Sequence, residues 1–365
     1  MATLTLGAAG QPSAKTINLD ALFSLSVENS RKQLFDNIST SNAFWKRIID
    51  NGAYESADGG THIEEPLMYA LGNAHWFDGF DVLKTDTING ITKALYEWRQ
   101  AAVSVVISGK ELKQNKHKIV DLFTSKIQQA SLGIQELIPK AIFQGNKPNG
   151  GTIVDAVVDG DLGATGINTL ASMVHYSPSS ALTVGNIAQG DSANSWWRNQ
   201  TQDFSGSSFD TGTEVLAGLT QLYQRCTRGP GGSPDFAITD EETYSILEGI
   251  LYNRTRHPIS TNQEFPFNNI VWKGMTIVTD EFMHDAANGN TNTTTAGTLY
   301  MLNTQFWKIR YESDSDFVTT DPRTPTSQDA MVKFILWMGN MTCNNRRKQG
   351  VAHGIRRTGS IDASS

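Results

Sequence analysis

The sequence predicts an α+β fold, one continuous unit of two lobes organised around a single long helix. Three observations lead there. Residues 118–144 carry an apolar stripe at helical spacing, including Ile119, Ile127, Ile134, Leu137, Ile138 and Ile142. Residues 60–108 alternate with a period of two on either side of an aromatic stretch, the pattern of a long hairpin. Near residue 236 a short apolar strand, Phe236-Ala237-Ile238, runs straight into a helix start, the strand-to-helix unit of an α+β lobe.

Taken in order, the chain opens with a polar, extended stretch. Asp20 is placed to cap a helix bearing Leu22, Leu25, Phe35 and Ile38, and Ser41 to cap a second with Phe44, Trp45, Ile48 and Ile49. Both helices read as peripheral. After Gly59-Gly60, alternation of Ile63, Leu67, Tyr69 and Leu71 predicts a strand. An irregular stretch, 72–90, holds His75, Trp76, Phe77 and Phe80, and a returning strand places Ala94, Tyr96 and Trp98 on one face. The alternation continues through Ala101, Val103, Val105 and Ile107, so that strand runs on into the body.

At about 1.5 Å per residue the 118–144 helix spans roughly 40 Å, enough to act as a spine. Pro139 removes one of its backbone hydrogen bonds and predicts a kink or early end, and residues 145–151 break the chain. Thr213 is placed to cap a helix with Val215, Leu219, Leu222 and Cys226 on its inner face. Thr239-Asp240-Glu241-Glu242 reads as a capping box ahead of Tyr244, Leu247 and Leu251. Strands follow at 270–278 and 299–302, with a polar loop at 288–295 between them, and then at 306–311 and 330–341.

Composition narrows the function. Apolar residues make up 39% and charged residues 18%, as in ordered globular proteins. A formal charge of −7 argues against a protein that grips phosphates through clustered cations. The first residues lack the basic leader and apolar block of a signal peptide, and no run has the roughly 18 apolar residues of a membrane span, so a cytosolic, soluble chain without membrane contact is expected. Cys226 and Cys343 read as small buried hydrophobes, neither disulfide framework nor metal clip. The Asn-X-Ser/Thr sequons, Asn199 and Asn340 among them, read as chance matches.

No phosphate-binding loop, nucleophile elbow, zinc helix motif or dinucleotide fingerprint occurs, and no catalytic residue, cofactor or metal is expected. Two polar groups are candidate sites. His62 and Glu64 share one strand face while Glu65 points to the other, and Asp280, Glu281, His284 and Asp285 can gather on one turn. Both read as ordinary solvent-facing polar side chains. The cluster Arg346-Arg347-Lys348, with Arg356 and Arg357, has two readings: pairing with an adjacent subunit or DNA, and a solvated terminal charge run.

Several stretches carry a family resemblance. Leu19-Asp20-Ala21-Leu22 leads to Glu28-Asn29 and then to Gly59 through Tyr69; Tyr96-Glu97-Trp98-Arg99-Gln100 precedes the spine; and Asn194-Ser195-Trp196-Trp197-Arg198-Asn199-Gln200 precedes the Thr213 helix. Together they resemble the Hong Kong 97-type major capsid proteins of tailed bacteriophages, across nearly the whole chain. The resemblance implies an N-terminal arm with helices (1–57), an extension hairpin and its base (58–108), a spine helix and peripheral domain (109–150), an axial domain (151–295), and return strands with a C-terminal tail (296–365). It implies a homo-oligomer: hexamers and pentamers of an icosahedral shell around double-stranded DNA, assembled in the host cytoplasm and resident in the virion, with a portal and possible decoration protein as partners.

Within that frame, Trp76, Phe77 and Phe80 cannot be covered by an isolated two-stranded hairpin and need a neighbouring copy. The alternative is an arm folded back on its own domain. The expected subunit-interface set is Trp76, Phe77, Phe80, Lys84, Arg346 and Arg347. Some relatives join a hairpin Lys to a distant Asn, but Lys84 and the pair Asn344 and Asn345 lie in no matching motif, so no cross-link is expected. The segment before Asp20 is too short for a fused scaffolding domain, which implies a separate scaffold, and the acidic balance implies loose contact with DNA. Two other classes stay open: an encapsulin-like nanocompartment holding protein cargo, and a soluble carbohydrate-active or binding protein.

Overall fold

The computed structural model describes residues 43–57, 59–70, 72, 74–81, 89–114, 119–144, 166–179, 183–204, 213–252, 270–280, 283, 297–321, 323–324 and 329–355. The expectations for the first helix and its arm, the 145–151 break, the 288–295 loop, Lys84, Glu281, His284, Asp285, Arg356 and Arg357 lie outside these residues.

The first described helix, α1 (Ala43–Asp50), is a core element and not the peripheral one its short length suggested. Phe44, Trp45 and Ile48 are buried: Phe44 meets Trp307 edge-on at 5.5 Å, and Trp45 meets Trp337 at 6.2 Å. Aromatic pairs in such edge-to-face geometry add to the area they bury. Short strand β1 (Tyr54–Ser56) then leads to the hairpin β2 (His62–Met68) and β3 (Ile91–Glu97), paired antiparallel from His62 with Glu97 to Met68 with Ile91.

Trp98 interrupts the returning strand, and β4 (Arg99–Ser108) resumes inside the body, as the continued alternation predicts. After the short helix α2 (Gly109–Gln114), the spine α3 (Ile119–Gln144) buries Ile127, Ala130, Ile134, Ile138 and Ile142. Leu137, counted in the apolar stripe, is exposed instead. The helix does not end early at Pro139 but continues to Gln144.

Beyond the spine come a one-turn helix α4 (Leu170–Met173), a small hairpin of β5 (Thr183–Val184) and β6 (Ile187–Ala188), and β7 (Gln200–Asp203). The 213 helix, α5 (Thr213–Thr227), forms as expected, followed by β8 (Phe236–Thr239) and α6 (Glu241–Tyr252). The capping of α6 differs from the capping-box reading. Asp240 accepts from the Thr243 amide at 3.2 Å, while the Thr239 hydroxyl donates to the Thr298 carbonyl at 3.0 Å. Thr239 is the last residue of a strand, so its side chain bonds across the sheet and the next residue becomes the cap.

The expected strand at 270–278 is a tight hairpin, β9 (Ile270–Trp272) and β10 (Met275–Thr279). Lys273 and Gly274 hold φ of 52° and 80°, the left-handed pair that a two-residue turn of matching twist requires. The remaining strands are β11 (Leu299–Leu302), β12 (Trp307–Tyr311), β13 (Val318–Thr319), β14 (Ala330–Cys343) and β15 (Gly350–His353).

These elements make two main sheets. In the five-stranded sheet β14 is central: β4 pairs along one edge from Ser108 with Ala330 to Arg99 with Gly339, and β12 and β13 pair along the other. Val105, Ile107 and Ile335 join the buried spine residues in one core. The six-stranded sheet has the order β7-β15-β11-β8-β10-β9. Both of its faces are covered, which explains the uninterrupted apolar strands. Tyr300, Leu302, Phe236 and Ile238 face the spine-side core, whereas Leu299, Met301, Ala237 and Ile277 face a second core formed with Leu219 and Leu222 of α5 and Leu247 of α6.

The stretch after 343 is not only a tail. Residues 350–353 insert as an inner strand between β11 and β7. Gly350 permits the fit, since a Cβ there would lie 2.7 Å from the Cys226 sulfur. Cys226 and Cys343 are both buried thiols, each pushed up to about 12 by loss of solvent.

Candidate assembly surface

The inner face of the β2–β3 arm carries Ile63, Glu65, Leu67, Ala94 and Tyr96, all buried, and its outer face carries His62, Glu64, Met68, Ile91 and Lys93, all exposed. This is the period-two split expected of a half-covered hairpin. The body supplies the covering layer. The Tyr96 hydroxyl donates to the Cys343 carbonyl at 2.8 Å, and the Asn340 amide donates to the Glu97 carbonyl at 2.8 Å. The Leu95 amide donates to the Gly185 carbonyl at 3.0 Å, and a Cβ on Gly185 would lie 2.8 Å from the Ala94 side chain. Tyr69 stacks on Trp196 at 5.2 Å. The base of the arm is therefore fixed to its own chain.

Among the described residues, the rings towards the tip are not covered. Trp76 and Phe80 are fully exposed, at 102% and 105%, and Phe77 is 63% exposed. Folding the arm back on its own domain does not account for these rings. A single exposed apolar residue is ordinary, but three large rings within five positions form a patch of the kind that marks a binding surface. A second exposed apolar strip lies across β4 and β14, where Phe334 pairs with Ser104 and Leu336 with Ala102 and both rise from the outer face with Val106.

The basic cluster divides. Arg347 is exposed, as an interface residue must be, but Arg346 is 0% exposed and Lys348 is buried. Neither the interface reading nor the solvated-run reading describes Arg346. A 3-10 turn at residues 346–348 aims alternate side chains inward between β14 and β15. The Arg346 guanidinium donates to the Met173 carbonyl at 2.7 Å and to Gln189 Oε1 at 2.9 Å. Longer bonds of 3.4 Å reach the Trp197 carbonyl and Asn199 Oδ1. Burial pushes its pKa down to about 10, so it stays charged at neutral pH.

Lys348 Nζ donates to the carbonyls of Thr227 and Arg228 at the end of α5 and of Gly229 and Gly232 in the following turn, at 2.9–3.1 Å. A cation at a helix C-terminus meets the negative end of its dipole. These residues hold the crossover between the two sheets. The available signal was their position between two apolar strands.

Asn199 and Asn340, the two sequon residues singled out above, are buried, consistent with chance matches. Of the candidate polar groups, His62 and Glu64 lie on the exposed face of the arm, and Glu64 pairs with Lys93 at 2.6 Å. Glu65 does not face solvent: it is 2% exposed and accepts from Arg310 Nε at 2.8 Å. Asp280 is buried. Among the described residues no group of three or more His, Cys, Asp or Glu is placed to hold a metal ion, and no helix is long and apolar enough to cross a membrane.

No protein-family model matches the chain, and no curated protein does. Solved structures are similar to it. A chain of the cyanophage A-1(L) capsid superposes with a TM-score of 0.60 at 14% identity, covering 84% of this chain and 92% of that one. A chain from the satellite phage P4 procapsid gives 0.51 at 12% identity, covering 93% and 99%. One from Gordonia phage Cozz gives 0.51 at 11%, covering 84% and 85%. The chain thus has the α+β fold of these phage structures, the Hong Kong 97-type architecture that the sequence resemblance implied.

Proposed function

We propose that the chain is the major shell subunit of a tailed-phage head, assembling into hexamers and pentamers of an icosahedral capsid around double-stranded DNA. The observation that carries this reading is the arm: a hairpin anchored at its base that presents Trp76, Phe77 and Phe80 to solvent. Burying such a ring is worth about 2–3 kcal/mol, so each arm offers roughly 6–9 kcal/mol to whatever covers it. A neighbouring copy is the occupant, and the apolar strip of Val106, Phe334 and Leu336 is the surface on which its arm rests. An arm on one patch and a receiver on another make a head-to-tail contact, the kind that closes into rings. Similarity to the cyanophage capsid chain supports the same role.

The formal charge of −7 suits a container whose DNA must stay mobile. A separate scaffold, a portal and a decoration protein are the partners this role calls for, with assembly in the host cytoplasm and residence in the virion. Arg347 and Lys84 belong to the proposed interface; Arg346 does not. Deleting residues 73–88 tests the mechanism. The shortened chain is expected to melt as the parent does and to sediment as a single subunit under conditions where the parent builds shells. If it still builds shells, the arm is not the assembly element.

A further inference from the structure

Glu65 is a carboxylate in an otherwise apolar stripe. It sits midway along β2 between Ile63 and Leu67, all three buried, where a leucine of similar volume would serve packing as well. What it does instead is join the arm to the body. Arg310 donates from Nε to Glu65 at 2.8 Å and from Nη1 to Glu55, and the Thr342 hydroxyl donates to Glu65 at 3.1 Å. Lys308, two residues from Arg310 on β12, also reaches Glu55, at 3.2 Å. The parallel pairing of β1 with β12 sets Glu55 opposite Arg310. Two acids and two bases thus form one network with the guanidinium at its centre, bridging the arm and the edge of the five-stranded sheet.

Both roots of the arm leave regular strand geometry. On one side Gly59 and Gly60 hold φ of 75° and 92°, which side-chain-bearing residues rarely adopt. On the other, Trp98 breaks the strand between β3 and β4 and is tied to the Gly60 carbonyl through its indole N–H at 3.0 Å. Beside these roots lies an open cleft of about 480 Å³ lined by Gly59, Gly60, His62, Trp98 and Arg310. The arm therefore has open space beside its roots, and besides the neutral hydrogen bonds at Tyr96, Glu97 and Leu95 it is joined to the body by one charged network.

We propose that Glu65 and Arg310 form an ionic latch that sets the angle at which the arm leaves the body, and with it the geometry of contact between neighbouring copies. A planar guanidinium held by carboxylates on two elements fixes orientation in a way an apolar contact does not. The inference rests on the shell reading for its consequence, while the latch itself is a property of the single chain.

The test is a distance distribution from spin labels at Met68→Cys on the arm and Asp314→Cys on the body, measured on the full-length unassembled chain. Both positions are exposed, and the native thiols are buried. The parent is expected to give one narrow distance. The pair Glu65→Leu with Arg310→Met keeps the core filled but removes the charged bonds between arm and body, and should widen the distribution about twofold at an unchanged melting temperature. If that pair fails to fold, Glu65→Gln, which keeps the volume and loses the charge, should widen it at a melting temperature close to the parent's. A distribution that stays narrow in the folded variant overturns the latch, as does widening that appears only in step with a loss of stability. Because the readout is taken before assembly, it stands apart from whether the chain builds shells.

Discussion

Replacing Arg346 by methionine separates a buried brace from a surface cation. The guanidinium makes two short bonds, to the Met173 carbonyl and Gln189 Oε1, and two of 3.4 Å, to the Trp197 carbonyl and Asn199 Oδ1. Arg346→Met strands the two closest acceptors in a buried site, at about 1–3 kcal/mol each. Relief of the charge's own desolvation offsets part of that loss, leaving a net cost of about 3 kcal/mol. For a chain of 365 residues that is a fall of roughly 4 °C in melting temperature. Arg346→Lys keeps the charge but not the planar fork, and most of the loss should remain. Thermal melts of the unassembled chain, followed by circular dichroism, read both variants. A melting temperature within about 1 °C of the parent for Arg346→Met would refute the brace, since surface substitutions away from buried partners change stability by only about 0.5 kcal/mol.

Other outcomes follow from the same geometry. The pair Trp76→Ser and Phe80→Ser removes rings that are fully exposed, so the melting temperature should hold while the affinity between copies falls by roughly 10³-fold or more, read by sedimentation; a parent-like assembly would place the adhesive surface elsewhere. His175 is buried, with Nδ1 near both the carbonyl and the amide of Ser177, and its pKa is lowered, first by burial and then by Arg346 and His353. The unfolded chain takes up that proton near pH 6.5 and the folded chain only at lower pH, so the stability contribution is complete above about 6.5 and is lost as pH falls. The melting-temperature advantage of the parent over His175→Gln should shrink between pH 7.5 and 5, and a constant gap would sink the assignment.

Much of the fold was legible because each element carries its own period. The spine stripe, the alternation of β2 to β4 and the apolar β11 all lie where periodicity sets them. Gln200–Asp203 carries no such pattern, because its strand is made by pairing with Gly350–His353, a partner about 150 residues distant. The role of α1 was missed for a related reason: eight residues look marginal until Trp307 and Trp337 arrive from distant strands.

The exposed rings of the arm were readable as a surplus of aromatics on an element with no second layer. The sheet and loop that cover the arm's base, at Gly185, Trp196 and Cys343, were not. Glu65 was correctly set on the face opposite His62 and Glu64, yet that face is the buried one, and its apolar neighbours Ile63 and Leu67 were the available clue. Arg346 and Lys348 eluded a reading by charge, since three consecutive bases look solvated unless the turn that alternates them is known.

Cryo-electron microscopy of particles containing this chain addresses the shell assignment most directly. Closed shells are expected in which Trp76, Phe77 and Phe80 of each copy are buried by a neighbouring copy. Particles in which those rings remain in solvent or lie on their own subunit would contradict the account.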